Sequence, residues 1–324
     1  MLKVVYMGTP QFAVPALEAL IQGSAPGIIL PDGLEVVCVI TRPDKPVGRG
    51  KEIVFSPVKQ TGLAHGIPVW QPGSLKREEN IAALAEYQAD IYIVAAFGQI
   101  LPQAVLDQPR YGTLNIHASL LPKYRGVSPI TAAILQGDVE AGVTIMLLDA
   151  GVDTGPMVRK GRIPIANDDT TGTLTAKLAD LGAKTLIETL PDWIAGKITP
   201  EPQADELSTH THMLTKEHGL INWERPAAAI ARAVRAYNPW PSAYSHWRGK
   251  QLKIVTAHVL EARPSRPLQT GILCLQYERG KQVLAVVTGS GLLVVDRLQL
   301  EGKKVMSADE FLRGYAQCIG EVLT

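Results

Sequence analysis

The 324-residue sequence has only three cysteines, Cys38, Cys274 and Cys318, far apart and with no C-x-x-C pair. That excludes a disulfide framework and a cysteine-based zinc site, and it fits a reducing compartment, the cytoplasm first. The chain opens directly on Leu2-Lys3-Val4-Val5-Tyr6, with no basic stretch leading into a long apolar run, so no signal peptide is expected. No segment approaches the roughly 18 consecutive apolar residues that a membrane-spanning helix needs, so no membrane partner is expected. Nucleotide and hydrolase signatures are missing too. Gly8-Thr9-Pro10 stands after the first apolar run, where a dinucleotide fold would carry G-x-G-x-x-G. Gly48-Arg49-Gly50-Lys51 lacks the upstream glycine of a phosphate loop and is followed by Glu52, and no G-x-S-x-G elbow occurs. Net charge is +1, which taken whole argues against a nucleic-acid binder.

What is present is a folded protein's balance, 46% hydrophobic and 19% charged residues, with no low-complexity segment and no internal repeat. In the first half, runs rich in Val and Ile at 4–7, 35–40, 91–96, 113–116 and 143–148 read as buried strands. Between them, 11–21, 57–64, 75–87 and 129–136 have helical spacing of apolar positions. That alternation predicts an α/β domain, a doubly wound and mainly parallel sheet with helices on both faces. Ligands of such sheets sit at the carboxyl ends of the strands, so chemistry is sought just after them.

A longer helix is expected over 174–195, followed by a polar run at 204–218 with few apolar anchors that reads as an interdomain linker. After a short helix at 227–236 come close-set strands at 252–259, 271–275, 283–287 and 292–295, then a helix at 308–312. This pattern predicts a small barrel or sandwich. The expected domains are therefore 1–206 and 207–324. Charge divides at the same place: residues 1–206 carry 17 Lys and Arg against 22 Asp and Glu, net −5, and residues 207–324 carry 15 against 9, net +6. An acidic domain joined to a basic β-domain fits a polyanionic partner, nucleic acid first, and equally a solvated Arg-rich surface.

Two segments carry candidate chemistry. Asn115 and His117 alternate along a strand and so project on one side at its carboxyl end, followed by Ser119-Leu120-Leu121-Pro122, an apolar wall beside a polar pair. Asp149 and Asp153 fall in the loop after the next strand; Asp149, beside Gly151, reads as a turn former. An amide, an imidazole and a carboxylate at strand ends can manage an acyl centre. Asn115 donates to a developing oxyanion, His117 moves a proton or stabilises charge, and Asp153 orients His117. Taken singly, His117 reads as readily as a hydrogen-bonded structural histidine. His210, His212 and His218 lie in the polar run without carboxylate or cysteine companions and read as solvated residues, so no metal is expected. A Gly- and Pro-rich stretch from Arg42 to Lys51 holds Arg42, Lys45, Arg49 and Lys51 within the acidic domain; it predicts a mobile loop able to reach a phosphate backbone.

Asn115-Ile116-His117-Ala118-Ser119-Leu120-Leu121-Pro122 and Gly151-Val152-Asp153-Thr154-Gly155 together resemble the folate-dependent formyltransferases. Gly8-Thr9-Pro10, Arg42-Pro43-Asp44, Ser56-Pro57-Val58-Lys59, Phe97-Gly98-Gln99-Ile100-Leu101-Pro102 and Asn238-Pro239-Trp240-Pro241 resemble the branch of that family acting on tRNA. The resemblance implies a Rossmann-like catalytic domain and an OB-like β-barrel. It also implies formyl transfer from 10-formyltetrahydrofolate to the amino group of methionine on initiator tRNA; the sequence itself signals no oligomerisation, so a monomer is expected by default. On it, Asn115 and a protonated His117 donate to the oxyanion while Asp153 holds His117 and helps relay the amine proton. Ser119, Leu120, Leu121, Pro122, Phe97, Ile100 and Leu101 line the folate site, Arg49 probes the top of the acceptor stem, and the basic second domain holds the tRNA body. Rival readings are a formyltransferase for an amino sugar nucleotide, the single-domain purine-pathway enzyme, which leaves 207–324 unexplained, and a noncatalytic RNA-binding protein, against which the intact trio stands.

Overall fold

The Val- and Ile-rich runs become strands of a seven-stranded sheet: β1 (Leu2–Gly8), β2 (Leu34–Ile40), β3 (Val69–Trp70), β4 (Ile91–Ala95), β5 (Thr113–His117), β6 (Glu140–Leu147) and β7 (Met157–Pro164). Their order is β7-β6-β5-β4-β1-β2-β3. Ladders from β3 to β5 are parallel, whereas β6 is antiparallel to both β5 and β7. The chain runs outward from β1 to β3 and returns to β4 on the other side of β1, so the switch point opens between β1 and β4, with β5 next to it. Central strands β4 and β5 are buried at every position, which explains their continuous apolar reading.

The computed structural model describes residues 1–47, 52–260 and 269–324. Helices α1 (Val14–Gln22), α2 (Pro57–Ala64), α3 (Glu78–Ala85) and the one-turn α4 (Gln103–Leu106) connect the parallel strands, and α5 (Pro129–Gln136) lies between β5 and β6 in the chain. Helix α2 starts where the sequence says it should: Ser56 Oγ accepts from the Lys59 amide at 3.2 Å and Pro57 fills the first turn. On one sheet face, Val5, Met7, Tyr92 and Val94 pack with Leu84 of α3 and with Phe97, Leu101 and Val105 around α4. Asn115 pairs in register with Val94, which puts it and His117 on this face beyond the packed core. Ile116 points to the opposite face, against Gly182 of the long helix α6 (Thr171–Ile194), where a Cβ would sit 2.7 Å from the Ile116 methyl.

The second unit holds α7 (Ala227–Ala236), strands β8 (Ala243–Trp247), β9 (Lys250–Leu260), β10 (Leu273–Glu278), β11 (Lys281–Val287) and β12 (Leu292–Leu300), and α8 (Ala308–Tyr315). The strands form an antiparallel sheet in the order β8-β9-β12-β11-β10. Trp247, Leu252, Leu298 and Phe311 form its core with Ile230 and Val234 of α7. The fold class is thus the one expected, a mainly parallel Rossmann-like domain followed by a small β-domain.

Chain grouping is less simple than one cut at 206/207. One unit comprises Met1–Pro129, Glu140–Pro164 and Thr175–Thr211, the other Ile130–Val139, Ile165–Leu174 and His212–Thr324. Hydrogen bonds explain the interleaving: in the second unit Arg232 Nε donates to the Leu135 carbonyl at 3.0 Å, Arg235 Nη1 to the Asp169 carbonyl at 2.8 Å, and Thr171 Oγ1 to the Ala236 carbonyl at 2.6 Å. No helix among the described residues is long and apolar enough to cross a membrane.

Candidate active site

Strand β5 delivers Asn115 and His117 to the carboxyl end of the sheet, both largely buried, at 8% and 6% exposure. The Asn115 amide has no hydrogen-bond partner among the described residues, yet it is not sealed from solvent. With no protein partner and access to solvent, its donors and acceptor are available to a ligand at the end of the strand. His117 is held from both sides. Its Nε2 lies 3.0 Å from the Tyr124 carbonyl and its Nδ1 faces Asp153 Oδ1 at 3.4 Å. Both ring nitrogens are thus engaged within the protein, which leaves no ring N–H free for a ligand in this arrangement.

Asp153 is positioned by the loop after β6. Its backbone is left-handed (φ 54°), a conformation that a non-glycine residue seldom adopts without support. Its Oδ2 accepts from the Gly126 amide at 2.8 Å, and its carbonyl accepts from Gln203 Nε2 at 2.8 Å. Gly155, two residues on, passes so close to β6 that a Cβ there would lie 1.9 Å from the Leu147 carbonyl oxygen; only glycine fits. Asp149 is the turn former expected, its Oδ1 accepting from the Gly151 amide at 3.0 Å and from Thr154 Oγ1 at 2.7 Å.

The segment after β5 is pinned by a residue that sequence reasoning missed. Thr144 of β6, fully buried and opposite His117 in the ladder, donates through Oγ1 to the Ser119 carbonyl at 2.7 Å and accepts from the Leu121 amide at 3.1 Å. Ser119 Oγ in turn donates to the Lys123 carbonyl at 2.6 Å. Of the residues expected to line a folate site, Phe97 and Leu101 belong to the core of one sheet face, and Leu121 packs with Met146 and Met157. Leu120 and Pro122 are half-buried and Ile100 is 60% exposed, so these three are the ones with apolar surface to offer.

The run read as a linker is partly wall. Residues 210–211 pair in parallel with 125–126 (Arg125↔His210, Gly126↔Thr211). Thr209 Oγ1 accepts from the Tyr124 amide at 2.8 Å, and Thr211 Oγ1 accepts from the Ser128 amide at 3.1 Å. These bonds span about eighty residues of sequence and connect side chains to backbone, so no periodicity announces them. His218 caps a short 3-10 turn, its Nδ1 accepting from the Thr215 amide at 3.0 Å. Among the described residues no group of His, Cys, Asp and Glu side chains could hold a metal ion.

Arg42 and Lys45 are exposed, while Gly48, Arg49, Gly50 and Lys51 lie outside the described residues. The flanks of the basic stretch, expected to be part of a mobile loop, pair antiparallel, Lys45–Val47 with Glu52–Val54. Its base is fixed: Lys59 Nζ donates to Asp44 Oδ2 and, at 2.8 Å, to Gln71 Oε1, and Gln71 Nε2 donates to Asp44 Oδ1 at 3.0 Å and to the Arg42 carbonyl at 2.7 Å. Hydrogen bonds from Lys59 and Gln71 hold the Asp44 carboxyl below its ordinary range. The stabilisation this gives is present above an unfolded value of about 4 and is lost only as pH falls through the lowered one.

An amide, an imidazole and a carboxylate are gathered at the end of β5 of a doubly wound sheet, a set of groups whose chemistry suits an acyl centre. The chain belongs to the formyl transferase family: residues 2–190 match the family's main domain and residues 213–316 its C-terminal domain. It is 46% identical to methionyl-tRNA formyltransferase of Agathobacter rectalis, over 97% of this chain and 96% of that one. To methionyl-tRNA formyltransferase of Stutzerimonas stutzeri it is 45% identical, over 94% and 91%. Among solved structures, the N-formyltransferase from Helicobacter canadensis in complex with folinic acid and dTDP-3-aminofucose shares the fold at a TM-score of 0.63 and 19% identity, covering 91% of this chain and 98% of its own.

Proposed function

We propose that this chain transfers the formyl group of 10-formyltetrahydrofolate to the α-amino group of methionine carried on initiator tRNA, acting as a cytoplasmic monomer. The observation that carries the reading is the juxtaposition at the end of β5 of an unpaired Asn115 amide with an imidazole held 3.4 Å from Asp153. Relatives named methionyl-tRNA formyltransferase, at 46% and 45% identity over nearly the whole chain, support tRNA as the acceptor. The exposed Arg42 and Lys45 and the net +6 of residues 207–324 agree with a polyanionic substrate. On this reading residues 1–206 are the catalytic domain and residues 207–324 the part that holds tRNA, with Arg49 and Lys51 completing the basic stretch.

The residues present fit a formyl-folate. Asn115 offers donors to a carbonyl oxygen, and Leu120, Pro122 and Ile100 offer apolar surface to a flat ring, whereas Ser119, Phe97, Leu101 and Leu121 are buried and would support the site from within the fold. When bound, the folate supplies an electrophilic formyl carbon whose oxygen gains negative charge as the amine attacks. Asn115 donates to that oxygen. His117, with both nitrogens engaged by Tyr124 and Asp153, contributes positive charge two residues along the same strand face. Asp153 balances that charge, and its carboxylate is the group that can take the proton the amine loses and return it to the nitrogen of the departing tetrahydrofolate as the old bond to the formyl carbon breaks.

The test is product analysis with purified protein, 10-formyltetrahydrofolate and methionyl initiator tRNA. N-formylmethionyl-tRNA is the expected product. Its absence, with formylation of a dTDP-amino sugar instead, would overturn the tRNA reading in favour of the sugar-nucleotide one.

A further inference from the structure

Gln203, immediately before the run that reads as linker in the sequence, reaches the loop that carries Asp153. Its Nε2 donates to two main-chain carbonyls, Asp153 at 2.8 Å and Gly155 at 2.7 Å, and its Oε1 accepts from Arg125 Nε at 2.9 Å. Arg125 is buried, at 4% exposure, and places Nη2 against Asp205 Oδ1 at 2.7 Å. A guanidinium has donors only, so Arg125 fixes which way round the Gln203 amide sits: the opposite orientation would set Oε1 against two carbonyl oxygens and Nε2 against a donor. We infer that Gln203, oriented by Arg125, is a positioning residue that clamps the backbone around Asp153 and so aims its carboxylate at His117.

The need for a clamp is visible in the backbone. Asp153 sits at φ 54°, and Gly155 has no room to relax because Leu147 crowds it. Beyond the clamp, the backbone of Asp153 is free to turn toward an ordinary conformation, which would swing its carboxylate away from both His117 and the Gly126 amide. Displacements of about an ångström at a reacting group cost on the order of 100-fold in rate. Among the described residues no hydrogen bond of the clamp reaches the Asn115 amide, so substrate binding is expected to survive its loss.

The inference rests on the proposed activity, and the test separates the two. In Gln203→Ala and in Gln203→Glu, whose carboxylate would face two carbonyl oxygens, kcat for formyl transfer falls ~10- to 100-fold while KM for folate and for tRNA stays within about twofold. Adding Gln203→Ala to Asp153→Ala lowers the rate no further, because the clamp acts only through Asp153. Amide exchange gives a readout without activity: the Gly126 N–H, bonded to Asp153 Oδ2, exchanges faster in both variants, while the Arg125 N–H, bonded to the Thr209 carbonyl at 2.8 Å, does not. Unchanged kcat and Gly126 protection, multiplicative losses in the double variant, or equal loosening of Arg125 and Gly126 would each overturn the inference. A wild-type chain inactive on methionyl-tRNA refutes the activity reading instead, and Gly126 exchange still decides the role of Gln203.

Discussion

Asn115, His117 and Asp153 hold different kinds of position, and their substitutions separate accordingly. Asn115 is unpaired and faces the site, so Asn115→Ala is expected to lower kcat by about 10²- to 10³-fold, the cost of one oxyanion donor, with little change in stability. His117→Ala and Asp153→Ala remove members of one pair and are expected to lose about 10²- to 10⁴-fold each, with the double variant little worse than either single. Single-turnover formylation, run beside tRNA binding on nitrocellulose and a urea melt, checks all three. If His117→Ala and Asp153→Ala both unfold, the pair is structural rather than catalytic. Asn115 and His117 were legible in the sequence because strand alternation puts them on one side of an apolar run, and Asp153 because it follows the next run. Gln203 was not legible, since its partners lie about fifty and eighty residues away and it contributes only polar atoms to them.

At the scale of elements, central strands and helices matched their patterns closely: α2 and α7 occupy the expected 57–64 and 227–236. The misses are edge elements. Strand β7 reads Met-Val-Arg-Lys-Gly-Arg-Ile-Pro and is half-exposed along its length, so its three basic residues conceal it from a search for buried runs. Strand β8, Ala-Tyr-Ser-His-Trp, alternates buried and half-buried positions but mixes polar and aromatic residues in both. The junction of β5 and β6 carries a prediction of its own. Thr144→Val keeps the shape but leaves the buried Ser119 carbonyl and Leu121 amide without Oγ1, so urea denaturation is expected to show a loss of about 1–3 kcal/mol for each group left unpaired, with slower formylation. A variant as stable and as fast as wild type would show that the segment holds itself.

For the whole molecule, a net charge of +1 hides −5 over residues 1–206 and +6 over residues 207–324. If the basic part meets phosphates, KM for tRNA rises ~10-fold or more between 50 and 200 mM salt, as counterion release at about two phosphates requires, while KM for the folate hardly moves. Steady-state kinetics at several salt concentrations check this, and parallel shifts in both constants would count against a phosphate contact. The pairing of residues 210–211 with 125–126, together with the bonds made by Gln203 and Thr209, has a consequence for inheritance. The smallest portable stretch of chain that keeps these bonds runs past residue 190, where the match to the formyl transferase domain ends, and on through Thr211. Any exchange of C-terminal modules within this family, by recombination or by design, keeps the chemistry only where the seam falls beyond that residue.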